Sequence, residues 1–220
     1  MPIFAINLHI KPDPITEHEV KELFRKLRAS HSREFGRSDY IYDRNANSAT
    51  ILAGLNHRHV IVSPVTIQYI ERKNFHNHTF NSIARILYEF YLEQKNVNLQ
   101  DIKLLGKVSV CTYNIGQSGI DLLKKNTGLF QDEEVSTFNI RVTLVEQDKN
   151  IHFYINSLQE DDEETSHTAK NSIIIKLDIN NYDQVNGLNE HSFADIITFA
   201  DCYAKDRLVS LLNKHFNRHE

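Results

Sequence analysis

Residues 136–158 read STFNIRVTLVEQDKNIHFYINSL, and the reading of this stretch decides the fold class. From Ser136 to Glu146 apolar and polar residues alternate: Phe138, Ile140, Val142 and Leu144 on one side, Thr137, Asn139, Arg141 and Thr143 on the other. From Ile151 to Leu158 the alternation repeats, with Ile151, Phe153 and Ile155 on the apolar side. Period two over this length is the mark of a strand with one buried face. A two-residue turn at Asp148-Lys149 makes Leu144 face Phe153 and Val142 face Ile155. Both apolar sets then fall on one side, and the stretch is an antiparallel hairpin with a wet face.

Working outward, Ser172 to Ile179 is a further strand, and Lys103 to Ile115 another. Between them Ser118 to Lys125 forms a short helix. The chain closes on a helix from Ser192 to about His215, with Ser192 as N-cap and Phe193, Ile196, Ile197, Ala200, Tyr203, Ala204, Leu208, Leu211 and Leu212 as its buried stripe. The first part has the same grammar. Ile3 to Ile10 alternates as a strand. Thr16 and Glu19 make a capping box for a helix to about Ser30, because hydroxyl and carboxylate satisfy the first helical N–H groups reciprocally. Asp39–Tyr42, Ala49–Ala53, Val60–Val62 and Val65–Ile70 are short strands, the last two a hairpin around Ser63-Pro64. A long helix follows, carrying Phe80, Ile83, Ala84, Leu87, Tyr88, Phe90 and Tyr91, capped by Asn77 or Thr79.

The expected fold class is therefore α+β: an antiparallel sheet with long helices on one face. The chain reads as one domain over 1–220, in two similar β-α-β(3–4)-α halves, 1–98 and 99–220. The 220 residues are enough for a sizeable core. With 40% hydrophobic and 25% charged residues, the composition is that of a soluble globular chain. No stretch reaches eighteen consecutive apolar residues, and no leader precedes Ile3, so neither a membrane span nor secretion is expected. Two cysteines, Cys111 and Cys202, sit in apolar sequence and read as small buried hydrophobes of a cytoplasmic protein.

Three short segments carry a resemblance: Gly106-Lys107-Val108-Ser109-Val110, Ile175-Lys176-Leu177-Asp178-Ile179 and Leu211-Leu212-Asn213-Lys214-His215-Phe216. With the order of elements, they resemble a sporadically distributed family of bacterial proteins of this size that has no assigned chemistry. The element order is also similar to the duplicated helix-on-sheet layout of TATA-binding-protein-like and helix-grip folds. These likenesses imply a fold and no activity.

Catalytic signatures are missing from the sequence. There are only seven glycines, and no GxxxxGK[ST], GxGxxG or GxSxG occurs. Twelve histidines include two close pairs, His57/His59 and His76/His78. Residues two apart share a side of a strand and can share a metal. Each pair lacks further ligands nearby, so solvated histidines are expected, with no metal and no cofactor. The run Asp161–Glu164 lacks the alternating ligands and central glycine of a calcium loop and reads as a solvated hairpin tip.

What remains is the polar face of the sheet. Asn139, Arg141, Thr143, His152, Tyr154, Asn156, Lys176, Asp178 and Asn180 fall on it, and Arg141, His152, Tyr154, Lys176 and Asp178 are the candidate binding residues. Aromatic, cationic and amide groups together are what binding surfaces use. The leading expectation is a non-catalytic binding or assembly module, a homo-oligomer that covers this face. The alternative is an enzyme with dispersed site residues, among them His152 and Asp178. A nucleic-acid binder on the same face ranks third, because a net charge of −4 and the lack of Arg/Lys clusters make nucleic acid an unlikely partner.

Overall fold

The computed structural model describes residues 1–8, 13–54, 57–72, 76–94, 97–114, 118–129, 139–157, 172–181, 188–189, 191–208, 210 and 214. It is an α+β structure built on one antiparallel sheet of nine strands. The strands are β1 (Pro2–Leu8), β2 (Ser38–Asp43), β3 (Ser48–Ala53), β4 (Arg58–Val62), β5 (Thr66–Glu71), β6 (Ile102–Asn114), β7 (Asn139–Glu146), β8 (Lys149–Ser157) and β9 (Ser172–Asn180). Their order across the sheet is β2-β3-β4-β5-β1-β6-β9-β8-β7. Helices α1 (Glu17–Ser30), α2 (Ser32–Phe35), α3 (Asn77–Gln94), α4 (Gly119–Thr127) and α5 (Ser192–Cys202) complete it, and a π-helical turn, Tyr203–Leu208, extends α5.

β1 and β6 pair at the middle of the sheet, with five strands on the β1 side and four on the β6 side. The sides also differ in their first helix, 14 residues in α1 against 9 in α4. α1 begins as its sequence directs. Thr16 Oγ1 accepts from the Glu19 amide at 3.2 Å, and Glu19 Oε2 accepts from the Thr16 amide at 2.7 Å. α4 is capped by Ser118, whose hydroxyl accepts from the Asp121 amide at 3.3 Å. It ends at Gly128, whose φ of 70° lies in the left-handed region that favours glycine.

The five helices named pack on one face of the sheet. Phe4 of β1 meets Phe193 of α5 edge-on at 5.7 Å, Tyr69 of β5 stacks on Phe80 of α3 at 4.9 Å, and Tyr40 of β2 lies against Phe24 of α1 at 5.3 Å. Two buried clusters result. One joins β1–β5 to α1, α3 and the start of α5; the other joins β8 and β9 to α4 and the end of α5. Fully burying each such aliphatic or aromatic side chain contributes about 1.5–3 kcal/mol, so this face holds the fold together.

Several expectations need correction. The β7–β8 turn is Gln147-Asp148, not Asp148-Lys149. Both of its residues have positive φ, 50° and 57°, the geometry of the primed turn that suits strand twist. Val142 therefore faces Phe153 and Leu144 faces Ile151. The shift is two residues, so every side chain keeps its side. Val142 and Leu144 are on the helix side but 41% and 43% exposed, because β7 is the sheet's edge and α5 packs over β6 and β9 instead. Ser192 is the first helical residue of α5, not its cap; His191 holds that place. The Ser192 hydroxyl accepts from the Asn189 amide at 2.8 Å. Asn77 likewise is the first residue of α3. Cys202 is exposed, not buried, at the cavity between α5 and the β7–β8 turn. The burial of Cys111, Phe138, Leu211 and Leu212, and the acidic run at Asp161–Glu164, lie outside the described residues.

Candidate functional site

The opposite face of the sheet bears none of the described helices, and strand register decides what it presents. Arg141 of β7 pairs with Tyr154 of β8, and Tyr154 pairs with Lys176 of β9. The three side chains stand in line on three neighbouring strands. Lys176 Nζ lies 4.7 Å and the Arg141 guanidinium 5.2 Å from the Tyr154 ring centroid. A cation over an aromatic face is attracted by the ring quadrupole, and two cations here share one ring. One step along the strands, Thr143, His152 and Asp178 form the next line. His152 Nδ1 is 2.9 Å from Thr143 Oγ1, and its ring lies 6.4 Å from that of Tyr154. Asp178 Oδ1 accepts from Asn180 Nδ2 at 2.9 Å. All five candidates, Arg141, His152, Tyr154, Lys176 and Asp178, thus share one open patch.

The line through Asp178 continues across the whole molecule. It runs Asp39, Leu52, His59, Ile70, Ile3, Val108, Asp178, His152, Thr143, one residue from each of the nine strands. Its middle is apolar, and Ile61 and Val110 flank that middle on the same face. Sequence reading missed this strip, because Ile3, Ile70 and Val108 alternate with core residues in strands that are apolar on both sides. The available signal was that double-sided apolar pattern beside a helix-covered face.

The histidine pairs are dispersed. His57 precedes β4 and His59 stands on the open face, while His76 precedes α3 and His78 lies in its first turn. On a helix, residues two apart diverge, so the strand argument for a shared metal does not apply to His76 and His78. Among the described residues no group of three or more His, Cys, Asp or Glu is placed to hold a metal ion.

A polar cluster that sequence reading missed lies on the covered face. Lys107 points inward from β6 with its side chain 1% exposed. Its ammonium donates to Asn81 Oδ1 at 3.1 Å, to Asn77 Oδ1 at 3.4 Å and to Asp201, and it lies 4.9 Å from the Phe80 ring centroid. Burial pushes the Lys107 pKa down; the Asp201 hydrogen bond and charge push it back up. On the other side of Phe80, Glu71 is ion-paired to Arg58 at 2.7 Å and accepts from the Tyr69 hydroxyl at 2.8 Å. Burial and the Glu71 charge push the Tyr69 phenol up. The Lys107 group ties α3 and α5 to β6, and the Glu71 group ties β4 to β5. A lysine at an inward position of an apolar strand was the signal for the first.

One cavity, about 660 Å³, lies on the helix side between α5 and the β7–β8 turn and is lined by Phe199 and Tyr203. Another, about 330 Å³, lies between α3 and α5 and is lined by His78, Asn81 and Arg85. Neither is lined by any of the five candidates. Compared with models of known protein families and with curated protein sequences, the chain matches none.

Proposed function

We propose that this protein is a non-catalytic binding and assembly module whose working surface is the face of the sheet opposite the described helices. The observation that carries the reading is the Arg141–Tyr154–Lys176 line. Two cations and an aromatic ring stand in line on three neighbouring hydrogen-bonded strands, beside an apolar strip and away from the helix-side cavities. Such a patch supplies orientation and contact area, with the anchor types that dominate interfaces. The exposed free thiol of Cys202 suits a cytoplasmic, reducing setting. No helix among the described residues is long and apolar enough to cross a membrane.

The test is a photo-crosslinking probe carried at position 154 in cells, Tyr154→p-benzoylphenylalanine. Lys125, exposed on α4 on the other side, is the control position. A discrete adduct from position 154 and none from position 125 is expected. No adduct from 154, or equal adducts from both, overturns the reading.

A further inference from the structure

We infer that the cleft between α3 and α5 binds a small oxyanion, a carboxylate or phosphate group carried on a compact apolar body. The site is on the helix side, and the inference does not rest on the open-face reading.

α3 and α5 run antiparallel. Near one end of their contact Asn81 Nδ2 donates to Asp201 at 2.8 Å; near the other, Tyr88 stacks on Phe193 at 4.9 Å. Along this contact lies the cleft of about 330 Å³, at the lower end of the range of small-molecule sites. Residues 78, 81, 82 and 85 are three or four apart, so α3 presents them on one side. From α5 come buried Phe193 and Ile197 and exposed Ala194 and Thr198. The lining is thus apolar on the α5 side and polar along α3.

The polar part has one sign. His78, Asn81, Ser82, Arg85 and Thr198 can all donate hydrogen bonds, and the lining holds no carboxylate. The Arg85 guanidinium lies over the Phe193 ring, 6.0 Å from its centroid, and makes no ion pair among the described residues. The four acids of α3 and α5 are placed elsewhere. Glu89, one turn on from Arg85, pairs with Lys26 at 3.6 Å, and Glu93 lines the cavity beside α1. Asp195 lines the cavity toward the β7–β8 turn, and Asp201 is held by Lys107 and Asn81. Glu34 of α2 lies 3.9 Å from His31 and does not line the cleft.

Two of the lining groups are already fixed, Asn81 by Lys107 and Asp201, and Ser82 by His31 Nε2 at 3.1 Å. The side chains of His78, Arg85 and Thr198 have no hydrogen-bond partner among the described residues. The planar fork of Arg85 matches one edge of a carboxylate or phosphate. Thr198 across the cleft and His78 two turns back along α3 offer further donors, while Phe193 and Ile197 receive the apolar body.

The experiment is an amide NMR titration of the purified full chain with benzoate, phenyl phosphate and benzyl alcohol. Benzoate, phenyl phosphate or both are expected to shift the His78, Arg85 and Thr198 signals along one saturable curve in the millimolar range. Which of the two binds tells a carboxylate ligand from a phosphate one. Benzyl alcohol keeps the ring without the charge and is expected to bind at least about tenfold more weakly. Arg85→Gln, at an exposed position, is expected to weaken the anion at least about tenfold. Ala194→Phe, also at an exposed position, fills the cleft and is expected to abolish binding. Arg25→Gln, exposed on α1, leaves it unchanged. The inference is overturned if neither anion gives a saturable shift, if benzyl alcohol binds as tightly, or if Arg85→Gln keeps native affinity. Shifts gathered at Arg141 and Lys176 instead also overturn it, without touching the open-face reading.

Discussion

At the scale of single residues, the largest energies sit where charge is buried. Lys107 keeps its ammonium inside the protein because Asp201, Asn81 and Asn77 surround it. Removing one partner of a buried pair leaves an uncompensated charge, which costs about 3–5 kcal/mol. Asp201→Ala is therefore expected to lower the unfolding free energy by about that amount in a urea titration. Replacing both, Lys107→Met with Asp201→Leu, removes the charge with its partner and is expected to lose far less. A loss below about 1 kcal/mol for Asp201→Ala contradicts the role given to the pair. His31 is a second case. Its Nε2 is 3.1 Å from Ser82 Oγ of α3. Burial holds its pKa below the ordinary 6.5, against the pull of Glu34 and with a small push from His78. The unfolded chain then takes up the proton first. Stability from this group is present above pH 6.5 and falls as the pH drops through that value toward the lower folded one. The melting temperature of His31→Gln is expected to depend less on pH in this window than that of the native chain; equal slopes dismiss the effect.

At the scale of elements, β7 separates pattern from burial. Its alternation is as clean as that of β8, and the shared hairpin is in place. Its apolar side nevertheless meets solvent, because an edge strand has a neighbour on one side only and α5 packs mainly over β6 and β9. Leu144→Lys is expected to change stability by less than about 0.5 kcal/mol. Phe153→Ala, one strand inward and buried against Tyr203 at 6.0 Å, is expected to cost about 3–5 kcal/mol. Chemical unfolding of both variants checks this, and similar losses contradict the edge assignment. Caps and turns behave as local chemistry requires. Thr16/Glu19, Ser118 and Gly128 act through neighbours within a few residues, so they are legible in sequence. Ser192 was misassigned because a serine before an apolar run can cap or can bond backward, and the Asn189 amide took it.

At the scale of the whole molecule, the sheet is the device that assembles the surface. Arg141, Tyr154 and Lys176 are separated by loops in sequence and by about 4.8 Å in space. Their common side was readable from parity within each strand. That they stand in one line was not, since register between β8 and β9 is set across a long connection. The apolar strip came from still further apart, because Ile3 and Val108 meet only through the β1–β6 pairing.

The sequence by itself determined the α+β class, the main helices and strands, and which side of the sheet each residue of the β7–β8 hairpin takes. Periodicity and capping are short-range properties, and they survive in a single chain read alone. Only the tertiary structure decided the nine-strand order, the exposure of the β7 edge and the burial of Lys107 against Asp201. Each of these depends on partners tens of residues away, whose placement follows from the packing of the whole core rather than from any local pattern.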